Sequence, residues 1–177
     1  MSSRKAMISV IGASKPSTKG LALAESVGVE LANRGAVVIC GGLGGIMEAV
    51  CRGAKKNGGT TIGILPSDNP SEANSYVDFP IATGMGHARN VIVVSTGDAV
   101  IAIDGAYGTL SEIGHALAAG IPVIGLNTWE LPSRIDLPIE IIYTHTAAEA
   151  VDKAFEATLW RKDRHGANKR SYGPRNS

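Results

Sequence analysis

Apolar runs rich in Val and Ile recur along this chain, and most of them empty into a turn followed by a helical pattern. The runs are AMISVIGAS (6–14), AVVICGG (36–42), TTIGILPS (60–67), VDFPIATGM (77–85), AVIAIDG (99–105) and IPVIGLN (121–127). A shorter IEIIYTH (139–145) precedes the last helical stretch. Helical patterns occupy 18–35, 45–59, 87–98, 108–120 and 147–160. Continuous rather than alternating apolar runs belong to strands covered on both faces. Strands alternating with helices of this length build βαβ units and a parallel sheet. The sequence therefore predicts an α/β fold: a doubly wound, mostly parallel, six- to seven-stranded Rossmann-like sheet with helices on both faces. Gly35, Gly58, Gly59 and Gly120 fall just past the predicted helix ends, where a C′ glycine belongs. The 177 residues suffice for one domain with a real core, placed here at 1–160.

Charge separates the last segment from the rest. Residues 161–177 carry six basic side chains against Asp163 alone, a net of +5, and read as a basic, flexible tail. The remaining eleven basic and fifteen acidic residues leave the domain at −4. Such a tail could touch nucleic acid, but its Gly, Asn and Ser content fits a solvated terminus equally, and nothing else in the sequence speaks for nucleic acid. Cys40 and Cys51 are eleven apart, without the CxxC spacing of a metal site, and read as small buried residues. No apolar run approaches the roughly 20 residues of a membrane helix, and MSSRKAMISVIG has no signal-peptide pattern. A cytoplasmic protein without membrane contact is expected.

In a doubly wound sheet the ligand sits beyond the carboxyl ends of the strands, so chemistry is sought in the strand-to-helix turns. The first turn, GASKPSTKG (12–20), offers Gly12 and Ser14 to an anion, or simply Ser17 or Thr18 as a helix cap. The second, GGLGGIMEA (41–49), has Gly41, Gly42, Gly44 and Gly45 in five positions, followed by Met47 and Glu48. It is neither G-x-G-x-x-G nor a P-loop. Four glycines suggest a ligand or another backbone pressing on the loop. The third, TGMGHARN (83–90), holds Met85, His87, Arg89 and Asn90. A cation in the first turn of a helix opposes the macrodipole, which is explained if Arg89 faces an anion. The fourth, DGAYGTLSE (104–112), contains Asp104, Gly105, Ala106, Tyr107, Gly108, Thr109 and Glu112. Its glycines could aim amides at a phosphate. Alternatively, Thr109-x-x-Glu112 is a capping box that occupies Glu112. Glu112 and His115, three apart, could form a surface pair.

These motifs resemble the LONELY GUY-like (SLOG) Rossmann superfamily, sometimes labelled lysine decarboxylases. GGLGGIMEA is similar to that family's GGG-x-x-GLM loop, GMGHARN to its GMH-x-RK segment, and DGAYGTLSE to its PGG-x-GT-x-x-E signature. The finer pattern, with GIPVIGLNTW following, resembles a subgroup that includes molybdenum cofactor carrier proteins. The resemblance implies a homo-oligomer, dimer or tetramer. In the phosphoribohydrolase branch it implies that Arg89 and Glu112 are the catalytic pair. Three departures bear on this: Asp104 stands for the family's Pro, Ala106 for its second Gly and Asn90 for its Lys. Asp104 is expected to set a carboxylate beside the phosphate cradle and repel a dianion.

The favoured reading is a carrier of molybdenum cofactor (molybdopterin), binding a phosphate-bearing pterin or nucleotide at the strand-end crevice. The alternatives are a nucleoside 5′-monophosphate phosphoribohydrolase of the cytokinin-activating type, or a nucleotide sensor without chemistry. Lysine decarboxylation needs a Schiff-base lysine for pyridoxal phosphate, and these turns offer only Lys15 and Lys19. Trp129, in NTWELPSRIDLPIE (127–140), could anchor an interface or lie in a plain edge loop.

Overall fold

The computed structural model describes residues 4–132 and 141–168. Among the described residues seven strands and five α-helices follow in the order β1 Met7–Gly12, α1 Thr18–Asn33, β2 Val37–Cys40, α2 Ile46–Lys56, β3 Thr60–Leu65, β4 Phe79–Ala82, α3 Asn90–Thr96, β5 Ala99–Asp104, α4 Tyr107–Ala118, β6 Val123–Thr128, β7 Ile141–Thr144 and α5 Ala147–Asn168. A 3-10 turn, Gly86–Arg89, leads into α3. All strand pairs are parallel, in the order β4-β3-β2-β1-β5-β6-β7. The doubly wound α/β sheet expected from the apolar runs is the fold.

The continuous apolar runs divide their side chains between two cores. Along β5, Ala99, Ile101 and Ile103 enter the layer beneath α1, α2 and α5, while Val100 and Ala102 enter the layer beneath α3 and α4. Neither face of the strand meets water, so neither position tolerates a polar residue without a partner. Ser9, in the middle of β1, is fully buried and donates its hydroxyl to the Val93 carbonyl at 2.7 Å.

Helix boundaries follow local signals where those signals are strong. Ser17 caps α1, accepting from the Gly20 amide at 2.9 Å. Gly35, Gly58 and Gly120 adopt positive φ beyond helix ends, as expected; Gly59 does not. Two boundaries differ from expectation. The helix expected from residue 87 opens as a 3-10 turn, with the α-helix beginning at Asn90. Helix α5 runs through Asn168 rather than ending at Trp160. The remainder of the basic segment, 169–177, and residues 133–140 of the Trp129 segment lie outside the described residues. Among the described residues no helix is long and apolar enough to cross a membrane.

The strand order changes direction at β1. From there the chain winds outward to β4, then returns to place β5 on the other side. The turns after β1 and β5 therefore leave toward opposite faces and open a crevice between them.

Candidate functional site

Four turns converge on that crevice. The turn after β2 is stitched to the turn after β1, because the amide of Ile46, first in α2, donates to the Ala13 carbonyl at 3.1 Å. Close packing accounts for most of the glycine-rich loop. A Cβ on Gly45 would lie 2.5 Å from the Ala13 carbonyl oxygen and 2.6 Å from that of Ser14, at a φ of +69°. A Cβ on Gly41 would lie 2.6 Å from the Arg89 guanidinium and 2.7 Å from Met47 Sδ. The loop is also held from behind. The Asn74 amide donates to the Gly42 carbonyl at 2.8 Å, and its side chain donates to Gly42 and Leu43 at 3.1 and 2.9 Å. Nothing in the sequence marked Asn74, since its role depends on a polar loop folding back over the sheet edge.

Arg89 closes the 3-10 turn and points inward, 8% exposed. It donates to the Asn90 side chain, and at 3.5 Å to the Gly41 carbonyl. Its Nη1 lies 3.8 Å from Glu112 Oε1, beyond hydrogen-bond reach. Its Nε is buried without a partner.

The capping box does not form. Helix α4 begins at Tyr107, with Ala106 as its cap residue and no side-chain cap bond. Thr109 therefore sits in the first turn rather than before it. Its Oγ1 is buried without a partner. Glu112 falls one turn further on and is released from capping to face Arg89. The expected surface pair of Glu112 and His115 is also absent: Glu112 is 7% exposed, whereas His115 is exposed.

Burial dominates the electrostatics of the pair. Removal from water pushes the Glu112 carboxyl from near 4.5 up to about 7, against the pull of Arg89. Desolvation likewise lowers the Arg89 guanidinium from its ordinary value, opposed by Glu112 and Cys40. At a separation of 3.8 Å the mutual attraction does not recover what both charges lose on leaving water. Near neutrality Glu112 is thus poised between its acid and carboxylate forms, while arginine keeps its charge.

Behind the loop, Cys40 and Cys51 are buried free thiols with sulfurs 3.5 Å apart. The hydrogen bond between them holds Cys40 below and pushes Cys51 above the usual thiol range. Among the described residues, no cluster of His, Cys, Asp or Glu has metal-holding geometry.

Arg89 and Glu112 border a cavity of about 260 Å³. Of the residues singled out from sequence, Gly12, Ser14, Gly41, Met47, Asn90, Ala106, Gly108 and Thr109 also line it. Ile11, Ala13, Leu43 and His87 join them. The three apolar ones flank the glycine turns without a chemical signature, and His87 enters with the turn that carries Arg89. Gly42, Gly44, Gly45, Glu48, Met85 and Tyr107 are not on this lining. Gly42 and Gly45 shape the loop, Glu48 lies half-exposed 3.9 Å from Arg52, and Met85 is 48% exposed.

Asp104 departs most from expectation. Its carboxylate turns away from the Arg89 cavity toward the start of α1. There Oδ2 accepts from the Ser17 amide at 2.7 Å and the Ser17 hydroxyl at 2.8 Å, and Oδ1 accepts from Asn127 Nδ2 at 2.5 Å. Asp104 and Gly105 line a second, shallow and open-faced chamber of about 610 Å³, which shares Ala13 with the first. Trp129 forms a wall of that chamber and stacks on Tyr107, with ring centroids 6.2 Å apart.

The comparisons agree with this architecture. A molybdenum cofactor binding protein from Rippkaea orientalis superposes with a TM-score of 0.81 at 36% identity, covering 89% of this chain and 99% of that one. The molybdenum cofactor carrier protein of Chlamydomonas reinhardtii superposes at 0.79 and 32% identity, covering 88% and 99%. An uncharacterized protein from Archaeoglobus fulgidus is 48% identical over 119 residues, which is 67% of this chain and 78% of that protein. A family model, the SLOG cluster4 family, matches residues 5–156. The chain belongs to the SLOG cluster4 family.

Proposed function

We propose that this protein binds and carries a phosphate-bearing pterin of the molybdenum cofactor type, with the phosphate in the Arg89 cavity. The observation that carries this reading is the unfinished bonding of that cavity. Arg89 Nε and Thr109 Oγ1 are buried donors without partners, and buried polar groups are ordinarily satisfied. A tetrahedral oxyanion accepts from both. The first amides of α4 have no intrahelical acceptors either, and Gly108 and Thr109 of that turn border the cavity. The small cavity suits a phosphate, while the chamber adjoining it through Ala13 has room for a ring system. The metal is cargo in this reading. The protein's residues hold the pterin and its phosphate. The carrier and binding proteins of Chlamydomonas and Rippkaea support the reading at 32% and 36% identity over nearly their whole lengths. Anaerobic titration with molybdenum cofactor tests it: saturable binding is expected, weakened at least about tenfold in Arg89→Gln. Binding at background level would end it.

One observation favours a second reading, hydrolysis of a nucleoside monophosphate. Glu112 is free of capping, borders the cavity and is raised to about 7, so it could serve as an acid or base at neutral pH. Overnight incubation with a panel of nucleoside monophosphates, followed by chromatography, tests this. Free base that appears with the native protein and is lost in Glu112→Gln would make the protein an enzyme.

A further inference from the structure

We propose that the second chamber, between the start of α1 and the end of β6, is a subsite for the heterocycle of the ligand, and that Asp104 reserves it by occupying its anion seat. This rests on the reading of the Arg89 cavity as the phosphate site.

The start of α1 would otherwise hold an anion: a helix N-terminus with a free amide and a serine hydroxyl at its cap. Here the anion is internal. Asp104 Oδ2 takes both Ser17 donors, the amide and the hydroxyl. The backbone is built around this contact. Asp104 adopts a φ of +51°, uncommon for a residue with a side chain. The register between β5 and β6 shifts at that residue. A Cβ on Gly20 would lie 2.1 Å from Asp104 Oδ2, so α1 presents a glycine where the carboxylate docks.

The two chambers consequently differ in sign. The inner cavity has Arg89 with Glu112 poised between its acid and carboxylate forms. The second has Lys15 against Asp104 and Glu130, an excess of one negative charge. An anion is drawn to the first and repelled from the second. The second chamber favours a group rich in N–H donors, and Trp129, already stacked on Tyr107, forms one wall of it. Trp129 Nε1 is buried without a partner, against Gly105. Glu130 has no hydrogen-bond or ion-pair partner among the described residues. A carboxylate of this kind accepts two parallel N–H bonds from a 2-amino-4-oxopyrimidine edge, which pterins and guanine share and adenine lacks.

The test uses phosphate-free probes, so that it is decided separately from phosphate capture at Arg89. Trp160→Phe leaves Trp129 as the sole indole. In that background 6-methylpterin and guanine should quench Trp129 saturably, and adenine should bind at least about tenfold more weakly. Glu130→Gln should weaken the pterin about tenfold, whereas Arg89→Gln should leave it within about twofold. Calorimetry with inorganic phosphate gives the second arm. Asp104→Gly, which the positive φ accommodates, should gain a phosphate site that survives Arg89→Gln. The assignment is overturned if 6-methylpterin leaves Trp129 unquenched, if adenine binds as well as pterin, if Arg89→Gln removes pterin binding, or if Asp104→Gly gains no phosphate site. Phosphate binding that is absent from the native protein, or unchanged by Arg89→Gln, alongside intact pterin quenching would instead count against the phosphate reading alone.

Discussion

Glu112 and Arg89 form a pair in which burial outweighs attraction, and this has a measurable consequence. A carboxyl raised from near 4.5 to about 7 on folding favours the folded state in its protonated form. That stability is fully present below pH 4.5 and is lost as pH rises through 7. Glu112→Gln, a neutral isostere, should match the native protein near pH 4.5. At pH 8 it should exceed it by up to about 3 kcal/mol, read from urea melts across that range. Anion binding should follow the same titration, because a carboxylate in the cavity repels the incoming charge. Phosphate affinity should fall as pH rises from 6 to 8 in the native protein, beyond what phosphate's own ionisation explains, and Glu112→Gln should abolish that excess. Gly41 belongs to the same scale. Its missing side chain leaves room for the guanidinium 2.6 Å from where a Cβ would stand. Gly41→Ala should displace Arg89 and weaken phosphate binding about tenfold while costing about 1–3 kcal/mol of stability.

At the scale of elements, α1 and α2 approach closely enough that glycines line their contact. A Cβ on Gly28 would meet the Val50 carbonyl at 2.1 Å, and one on Gly53 the Glu25 carbonyl at 2.0 Å. Arg52 fastens the pair from the side, with Nε and Nη2 donating to Glu25 at 3.0 and 2.8 Å. Because α1 begins at the second chamber and α2 at the glycine-rich loop, their spacing fixes the distance between the two cavities. Gly28→Ala adds only a methyl, yet backbone opposes it on the facing helix. It should destabilise the protein by about 1–3 kcal/mol in denaturant melts, and by spreading the helices it should weaken ligand binding as well. A Gly28→Ala protein of native stability would remove this account of the helix contact.

For the whole molecule, the crevice exists because the strand order reverses beside β1, so that a ligand held there would bridge turns from both halves of the sheet. Binding should therefore raise global stability rather than order one loop. At a free ligand concentration one hundred times Kd, linkage gives about 2.7 kcal/mol, which for a chain of this length is a Tm rise of roughly 5–10 °C. Differential scanning fluorimetry of the native protein with phosphate-bearing pterin should register it, and Arg89→Gln, with its affinity about tenfold weaker, should lose about half of it.

The sequence by itself determined the sheet, its parallel winding, the crevice edge and most residues around it. Unbroken Val and Ile runs have one stable use, burial on both faces, and strand-end turns have one location. Arg89 and Glu112 were legible as a pair only through the family resemblance of their motifs; the residues alone placed a charge from each motif at that edge. What each side chain does was decided only by tertiary structure. Thr109-x-x-Glu112 satisfies the local pattern of a capping box, but α4 is capped three residues earlier, at Ala106, and carries Glu112 to Arg89. Asp104 reads locally as a carboxylate in a phosphate cradle, yet a bulge in its strand and a glycine on a distant helix turn it to Ser17. The glycines of 41–45 read as room for a ligand or for another backbone, and much of that room is filled by Arg89 and the Ala13–Ser14 backbone. Local patterns fix which conformations are available. Which of them is occupied depends on donors and steric limits supplied by residues remote in the chain, such as Ser17, Asn74 and Gly20, and those meet only in the folded molecule.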